Sequence, residues 1–354
     1  MAGLESIRVL ELASVLAGPL AATALAERGA RVTKVERPPH GDVTRSWKTA
    51  SESEEALTSA YYESANGDKT LIWQDLNTPE GAEWLEAQLA EHDVLIQNFK
   101  ASDLKKFHLE PDQLAKRHPH LVHVRLVGFA DAPERLAYDV VVQAETGFMH
   151  MNGFEDRPPV RMPVALMDVL ASHQIRMAVL EGLLERANGG FGFYAEVSLQ
   201  ASGLTALVNQ ATNHLIAGTT PSRNGGLHPN IAPYGDLLAC EDGHVVLAVG
   251  NDRQFGSLCR TLKADDLPEQ PSFQTNQQRV RNRNRLMMEL NEAASGWKKE
   301  ELEQQLRDVG VPAGVVRTLA EVFETGSLGL DWTVENPSGL RRSKAIGYTV
   351  ERFR

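Results

Sequence analysis

The chain has 354 residues, 42% hydrophobic and 23% charged, the balance of a globular protein long enough to bury two cores. Its net charge of −11 speaks against non-specific binding to nucleic acid or to an anionic membrane surface, while leaving room for a locally basic pocket. Cys240 and Cys259 are the only cysteines, too few for a disulfide framework and without zinc spacing. The N-terminus carries no long apolar run, and no apolar stretch approaches ~20 residues, so the expectation is a cytoplasmic protein with no signal peptide and no membrane span.

In chain order, residues 6–12 read as a buried strand, followed by Gly18-Pro19 and an Ala/Leu-rich helix to about Glu27. Residues 31–36 form a second strand, which completes a βαβ unit. Residues 37–67 are polar, carry Pro38-Pro39, and read as an excursion. Strands are expected again at 70–76, 93–97 and 120–127, with a helix from Thr78 between the first two. This alternation predicts an α/β fold with a parallel sheet and helices on its faces. Helical patterns follow at 137–150, 164–186 and 199–216. The Gly- and Pro-rich stretch 218–235 reads as a long loop and domain boundary. Beyond it, 236–249 reads as a hairpin turning at Glu241-Asp242-Gly243, helices follow at 251–262, 276–295 and 298–308, and a short strand at 312–316. The expected division is a large domain over 1–217, completed by 325–354, and a small α+β domain over 218–324. Ligands of parallel α/β sheets bind at the carboxyl ends of the strands, which points to the loops near 13–19, 37 and 98.

In the turn 13–19, Gly18 permits close backbone approach and the following helix N-terminus favours negative charge; a tight βα turn without ligand explains the same residues. Arg37, after Lys34-Val35-Glu36, stands at the crevice, where a guanidinium can grip a phosphate, or belongs to a solvated charge cluster. Asn98, at a strand end, suits an amide or a nucleobase, and Lys100, Lys105 and Lys106 suit phosphates or a solvated face. Asp168 is the more unusual residue, because a carboxylate in so apolar a helical stretch is costly unless it caps, pairs or reacts. An N-cap role and a nucleophilic role are compatible, since capping bonds and the helix dipole favour the ionised form. Asp139 reads as the start of the helix over 137–150. The eleven histidines are scattered, so no metal site is expected, and P-loop, GxSxG, HExxH and GxGxxG patterns are missing.

The segments LASVLAGP, GARVTKVERPPHGDVTR, DLNTPEG, DVLIQNF, AYDVVVQAETGFM, MPVALMD, HPNIAPYG and GNDRQF together resemble the class III CoA-transferases, and in the same order. That group includes formyl-CoA and carnitine CoA-transferases and the α-methylacyl-CoA racemases, and the likeness covers roughly residues 5–320. The resemblance implies a Rossmann-like large domain with a smaller domain, in an interlocked homodimer. It implies that coenzyme A or an acyl-CoA binds as substrate, with Leu16 and Ala17 near the thioester and Arg37 on phosphate. Gln74, Asp75, Leu76 and Asn77 would line the nucleotide. Asn98, Phe99, Lys100 and Lys106 would hold adenine or phosphates, and Leu136, Ala137, Tyr138 and Asp139 would flank the pantetheine. Asp168 matches the nucleophilic aspartate, and His228, Asn230, Ile231 and Ala232 match a loop that covers the active site. Three departures stand out: Lys-Ala-Ser after Phe99, the segment Phe191-Gly192-Phe193, and a C-terminus at Arg354 that is short for the family.

The function implied is transfer of CoA from a thioester to a small carboxylic acid through aspartyl anhydride and aspartyl-CoA intermediates. Racemisation of a 2-methylacyl-CoA is the first alternative. Those racemases carry His where this chain has Tyr138, and a phenol with an ordinary pKa of about 10 is a poor base at neutral pH. A non-catalytic acyl-CoA binder is the second, and retention of Asp168 speaks against it.

Overall fold

Alternating apolar runs over the first two hundred residues close into one parallel sheet in the computed structural model, which describes residues 3–324, 332–336 and 339–351. Its strands are β1 (Arg8–Glu11), β2 (Arg31–Glu36), β3 (Thr70–Trp73), β4 (Val94–Gln97), β5 (Val122–Val127) and β6 (Phe193–Ser198). They lie in the order β3-β2-β1-β4-β5-β6, each neighbouring pair parallel, which is the doubly wound nucleotide-binding order. The sequence reading places no strand between residues 186 and 199; β6 is that missing edge.

The helices of this unit are α1 (Ala17–Ala26), α2 (Ala60–Asn66), α3 (Pro79–Glu91), α4 (Ala101–Lys106), α5 (Pro111–Arg117), α6 (Asp139–Glu145), α7 (Phe148–Met151), α8 (Leu166–Ala187), α9 (Leu199–Ala206) and α10 (Val208–Ala217). Strand alternation sends Val9, Ile96 and Val124 to one face, where they pack with Ala17 and Ala21 of α1 and Met167, Ala171 and Ile175 of α8. Those last three residues, with Val179, recur every fourth position and give α8 its buried stripe. On the opposite face, Leu10 and Leu95 meet Leu85 and Leu89 of α3, Leu104 of α4 and Leu114 of α5. Truncating a fully buried leucine such as Leu10 or Leu95 to alanine costs roughly 2–5 kcal/mol. The helix expected over 137–150 is broken into α6 and α7 at Gly147, whose φ of +89° is a left-handed conformation that ends a helix.

Residues 153–158 and 223–331 form a second compact unit, and residues 1–152, 159–222 and 332–354 the first. In the second, β7 (Tyr234–Cys240), β8 (Gly243–Ala248) and β9 (Ala313–Val315) make an antiparallel sheet in that order. Helices α11 (Asp252–Thr261), α12 (Asn276–Arg281), α13 (Arg283–Ala294) and α14 (Lys299–Asp308) belong to the same unit, whose core gathers Leu238, Val245, Phe255, Leu290 and Leu302. The helical pattern 276–295 is interrupted at Asn282. Of the C-terminal stretch, residues 325–331, 337, 338 and 352–354 lie outside the described residues. Within the described part, Arg342 pairs with Glu27 at 2.5 Å and with Asp68 at 2.8 Å, both in the first unit.

Candidate active site

The sheet reverses its winding between β1 and β4, so the chain leaves these neighbouring strands in opposite directions and a crevice opens at their carboxyl ends. A cleft of about 320 Å³ occupies it, lined by Leu12, Ala13 and Ser14 after β1, Lys34 to Glu36 of β2 with Arg37 after it, Gln74, Leu76 and Asn77 after β3, and Asn98 to Lys100 after β4. A smaller cavity of about 140 Å³ is lined by Asn98, Phe99 and Lys100 again, with Leu136 and Ala137. The strand-end loops named from the sequence thus converge on one crevice.

Two glycines allow the close approach. A Cβ on Gly18 would lie 2.5 Å from that of Ala13, so only glycine lets α1 start against the β1 turn. A Cβ on Gly81 would lie 2.0 Å from the Asp75 carbonyl oxygen, so glycine in α3 lets the 74–77 segment fold over the helix.

Along the rim, Arg37 is exposed and its Nε lies 3.4 Å from the Asp75 carboxylate. Asp75 accepts from the Asn77 backbone at 3.0 Å and its side chain at 2.5 Å, and Asn77 in turn accepts from Lys106 Nζ. These bonds hold the Asp75 carboxyl below its ordinary range, the Asn77 bonds contributing most and Arg37 less. Lys100 is exposed at the N-terminus of α4, and Phe99 packs against Phe107 with ring centroids 5.2 Å apart and planes tilted by 46°. Asn98 spends its amide on protein: Nδ2 donates to the Ser14 carbonyl at 3.1 Å, and Oδ1 accepts from the Ser14 N–H at 3.2 Å. Leu16 and Ala17 are buried at the start of α1.

Asp168 lies in the first turn of α8 and is 8% exposed. It is not the N-cap that the sequence suggests. Ala165 holds that position without a side-chain bond, and Asp168 is the third helical residue. The cap comes from another element, because Asp139 Oδ1 accepts from the Met167 N–H at 2.6 Å while Oδ2 accepts from Gln143 at 2.5 Å. Asp139 is the first residue of its own helix, with Tyr138 at the N-cap. Tyr138 itself is exposed. Gln143 also accepts from the Met162 N–H at 2.8 Å, tying the approach to α8.

No hydrogen bond or ion pair among the described residues engages the Asp168 carboxylate. Burial first, and the Asp139 charge second, push its pKa up to about 7. The ionised form is therefore not favoured as the capping argument predicts. The side chain is poised between its two protonation states near neutral pH.

Sequence reasoning missed Tyr61 of α2. Its phenol is pushed up to about 12 by burial and by the charges of Asp168, Asp139 and Asp42, with Arg161 acting in the opposite sense, and its ring meets Trp47 edge-on at 5.1 Å. Both aromatic residues come from the polar excursion 37–67, where nothing in the local pattern marks them.

His228, Asn230, Ile231 and Ala232 belong to the second unit. There the backbone is tied by side chains: Arg283 donates to the His228 carbonyl at 2.9 Å and to that of Ile231, Asn276 to that of Asn230 at 2.8 Å, and Arg279 to that of Ala232 at 3.0 Å.

Fold and cleft define the class: a doubly wound α/β protein with an open crevice at its topological switch point. The sequence profile of "CoA-transferase family III" matches residues 4–334. The succinate–glutarate CoA-transferase of Agrobacterium fabrum is 36% identical over 326 residues, 90% of this chain and 81% of that protein. The mouse succinyl-CoA:glutarate CoA-transferase is 32% identical over 344 residues, 96% of this chain and 78% of its own. Among solved structures, a CaiB/BaiF family protein from Brucella suis superposes with a TM-score of 0.86 at 35% identity, covering 99% of this chain and 92% of that one. The chain belongs to CoA-transferase family III, and it is an enzyme that moves coenzyme A from an acyl-CoA thioester to an acceptor carboxylic acid. No helix among the described residues is long and apolar enough to cross a membrane.

Proposed function

We propose that Asp168 is the nucleophile of this transfer, and that the acids exchanged are small dicarboxylic acids. The observation that carries the first part is a buried carboxylate with no partner among the described residues, an arrangement that costs stability and is tolerated where the group has a task. In its ionised form, one Asp168 oxygen attacks the thioester carbon of the donor. The C–S bond breaks, giving a mixed anhydride and CoA thiolate. The thiolate then attacks the Asp168 carbonyl carbon and expels the donor acid as its carboxylate, leaving an aspartyl-CoA thioester. An acceptor carboxylate attacks that thioester, and the same two steps in reverse deliver the new acyl-CoA and regenerate Asp168.

The switch-point cleft is the place proposed for CoA. Arg37 and Lys106 would meet phosphates, Lys100 and Phe99 the nucleotide, Gln74 to Asn77 the cleft wall opposite, and Leu136 to Asp139 the pantetheine. Leu16 and Ala17 would flank the thioester. Tyr61 would donate its O–H toward the carboxylate chemistry, since its phenol stays protonated. His228 to Ala232 is proposed as the segment that keeps water from the intermediates.

Dicarboxylic acids are proposed by analogy with the Agrobacterium protein, whose name gives succinate and glutarate. Such an acid needs a cation for its second carboxylate. Arg161 is exposed, donates only to the carbonyls of Met162 and Pro163 among the described residues, and lies within electrostatic reach of Tyr61. A homodimer in the cytoplasm completes the reading; the exposed Val208, Leu215 and Ile216 of α10 give a dimer apolar surface to cover.

The test is to incubate the enzyme with succinyl-CoA, trap with hydroxylamine or borohydride, and map the adduct by mass spectrometry. A modified Asp168 peptide, absent from Asp168→Asn, is expected. Transfer without any Asp168 adduct, or near-normal turnover of Asp168→Asn, would overturn the mechanism.

A further inference from the structure

The turn after β1 holds a backbone conformation that its own sequence disfavours. Val15 has φ of +74°, a left-handed conformation that is a true outlier for a β-branched residue, where Cβ crowds the carbonyl. Three side chains from distant parts of the chain grip the three residues Ala13 to Val15. Lys34 Nζ donates to the Ala13 carbonyl at 3.0 Å. Asn98 bonds both the N–H and the carbonyl of Ser14. The Val15 N–H reaches both oxygens of Asp42, at 3.1 and 3.4 Å.

These grips are themselves anchored in the core. Asp42 and Lys34 are fully buried and lie 3.2 Å apart, and Lys34 pairs at 2.9 Å with Glu11, which takes Lys69 on its other oxygen at 2.7 Å. Asp42 also accepts from the Thr44 N–H at 3.0 Å and its hydroxyl at 2.8 Å, and its own N–H donates to Glu36 at 2.9 Å. So much buried charge spent on one short turn is out of proportion to its contribution to packing, because Ser14 and Val15 are only partly buried. Two buried charged side chains are instead spent on fixing a shape. Ala13 and Ser14 line the cleft, and Ala17, immediately after the turn, shares a core cluster with Met167, the residue before Asp168.

We propose that Asp42 and Asn98 are positioning residues for CoA transfer, which together with Lys34 hold residues 13–15 in the strained shape that aims the bound thioester at Asp168. This rests on the reaction proposed above. In that role Asn98 acts on the Ser14 backbone and not as a ligand of the nucleotide. Rigid orientation of the reacting carbon raises turnover, whereas a ligand contact would raise affinity, and the two separate in the kinetics.

The test has two parts. Crystal structures of Asp42→Asn and Asn98→Ala are expected to show residue 15 relaxed to negative φ in at least the first; Val15 still near +74° in both variants would overturn the clamp, whatever the enzyme does. In kinetics on succinyl-CoA, each variant is expected to lose ~10-fold or more in kcat while KM for the thioester moves less than ~3-fold. Adding Val15→Gly to Asp42→Asn is expected to recover roughly 5-fold in kcat, because glycine enters the left-handed region without being held there. Unchanged kcat, a KM that rises in step for Asn98→Ala, or no gain from glycine would overturn the positioning role. Asn98→Ala leaves the buried ion pairs intact, so it decides the question if Asp42→Asn fails to fold. Should the parent chain transfer no CoA at all, the reaction reading fails while the backbone result still judges the clamp.

Discussion

Asp139 and Asp168 stand at the same helix start in opposite roles: Asp139 accepts the Met167 N–H at 2.6 Å, and Asp168, one residue further on, is left without a partner among the described residues. Burial, and after it the charge of the satisfied carboxylate, raises the pKa of the other.

Stability should therefore improve when Asp168 is neutralised. Its pKa in the folded chain, about 7 against an ordinary 3.8, means that the folded state holds the proton more tightly than the unfolded state. The stability associated with this group is fully present below pH ~4 and is lost as pH rises toward and through ~7. Above that, the buried charge costs on the order of a few kcal/mol. Asp168→Asn is expected to melt roughly 2–5 °C higher than the parent at pH 8 and to show no such gain at pH 4, measured by calorimetry. Equal melting at pH 8 would mean that the carboxylate is paired.

The same ionisation should set the acidic limb of the rate profile. Attack needs the carboxylate, so kcat/KM is expected to rise with pH through about 7 and then level. Asp139→Asn removes the neighbouring charge that adds to the effect of burial while keeping an acceptor for Met167, so its limb should move to lower pH. A limb that stays in place would show that burial alone sets the value.

The sheet was legible because β1 and β4 are short apolar runs, and β2 and β5 are valine-bearing segments, each set between turn residues. Strand β6 was not, because it is an edge strand with exposed Tyr194 and a Glu196 that pairs with Arg125, following the glycine-rich residues 189–192. Asp168 was legible as a misfit in an apolar stretch. Its actual neighbours were not, since the capping carboxylate comes from a residue 28 positions before Met167 and Tyr61 from an unpatterned loop. Helix-start chemistry is local in most helices, and here a tertiary contact replaces it. The strand-end loops were found by topology, whereas the use of Asn98 on Ser14 depends on β1 and β4 lying side by side.

Phosphate contacts predict a salt signature. Arg37→Ala and Lys106→Ala are each expected to raise KM for the acyl-CoA by roughly 3–10-fold at low salt, with a smaller change in kcat, and the difference from the parent should shrink as salt screens the charges. Should both variants keep the parent KM across the salt range, the cleft rim is not where the phosphates bind.

Arg161 offers the sharpest test of the substrate class, because its effect should depend on the acid and not on CoA. A guanidinium that meets a distal carboxylate favours dicarboxylic acceptors by a charge-assisted pair, and a monocarboxylic acid of the same length has nothing to offer it. Arg161→Gln removes the charge and keeps a donor. It is expected to raise KM for succinate or glutarate by about 10-fold or more while changing KM for butyrate by less than ~2-fold, read with a single acyl-CoA donor. Since the guanidinium also lowers the Tyr61 pKa, the variant's phenol should titrate higher still, away from the working range, so the comparison at neutral pH isolates the distal contact. An equal loss for both acids would place Arg161 in general structure and leave the acceptor's second carboxylate without its cation.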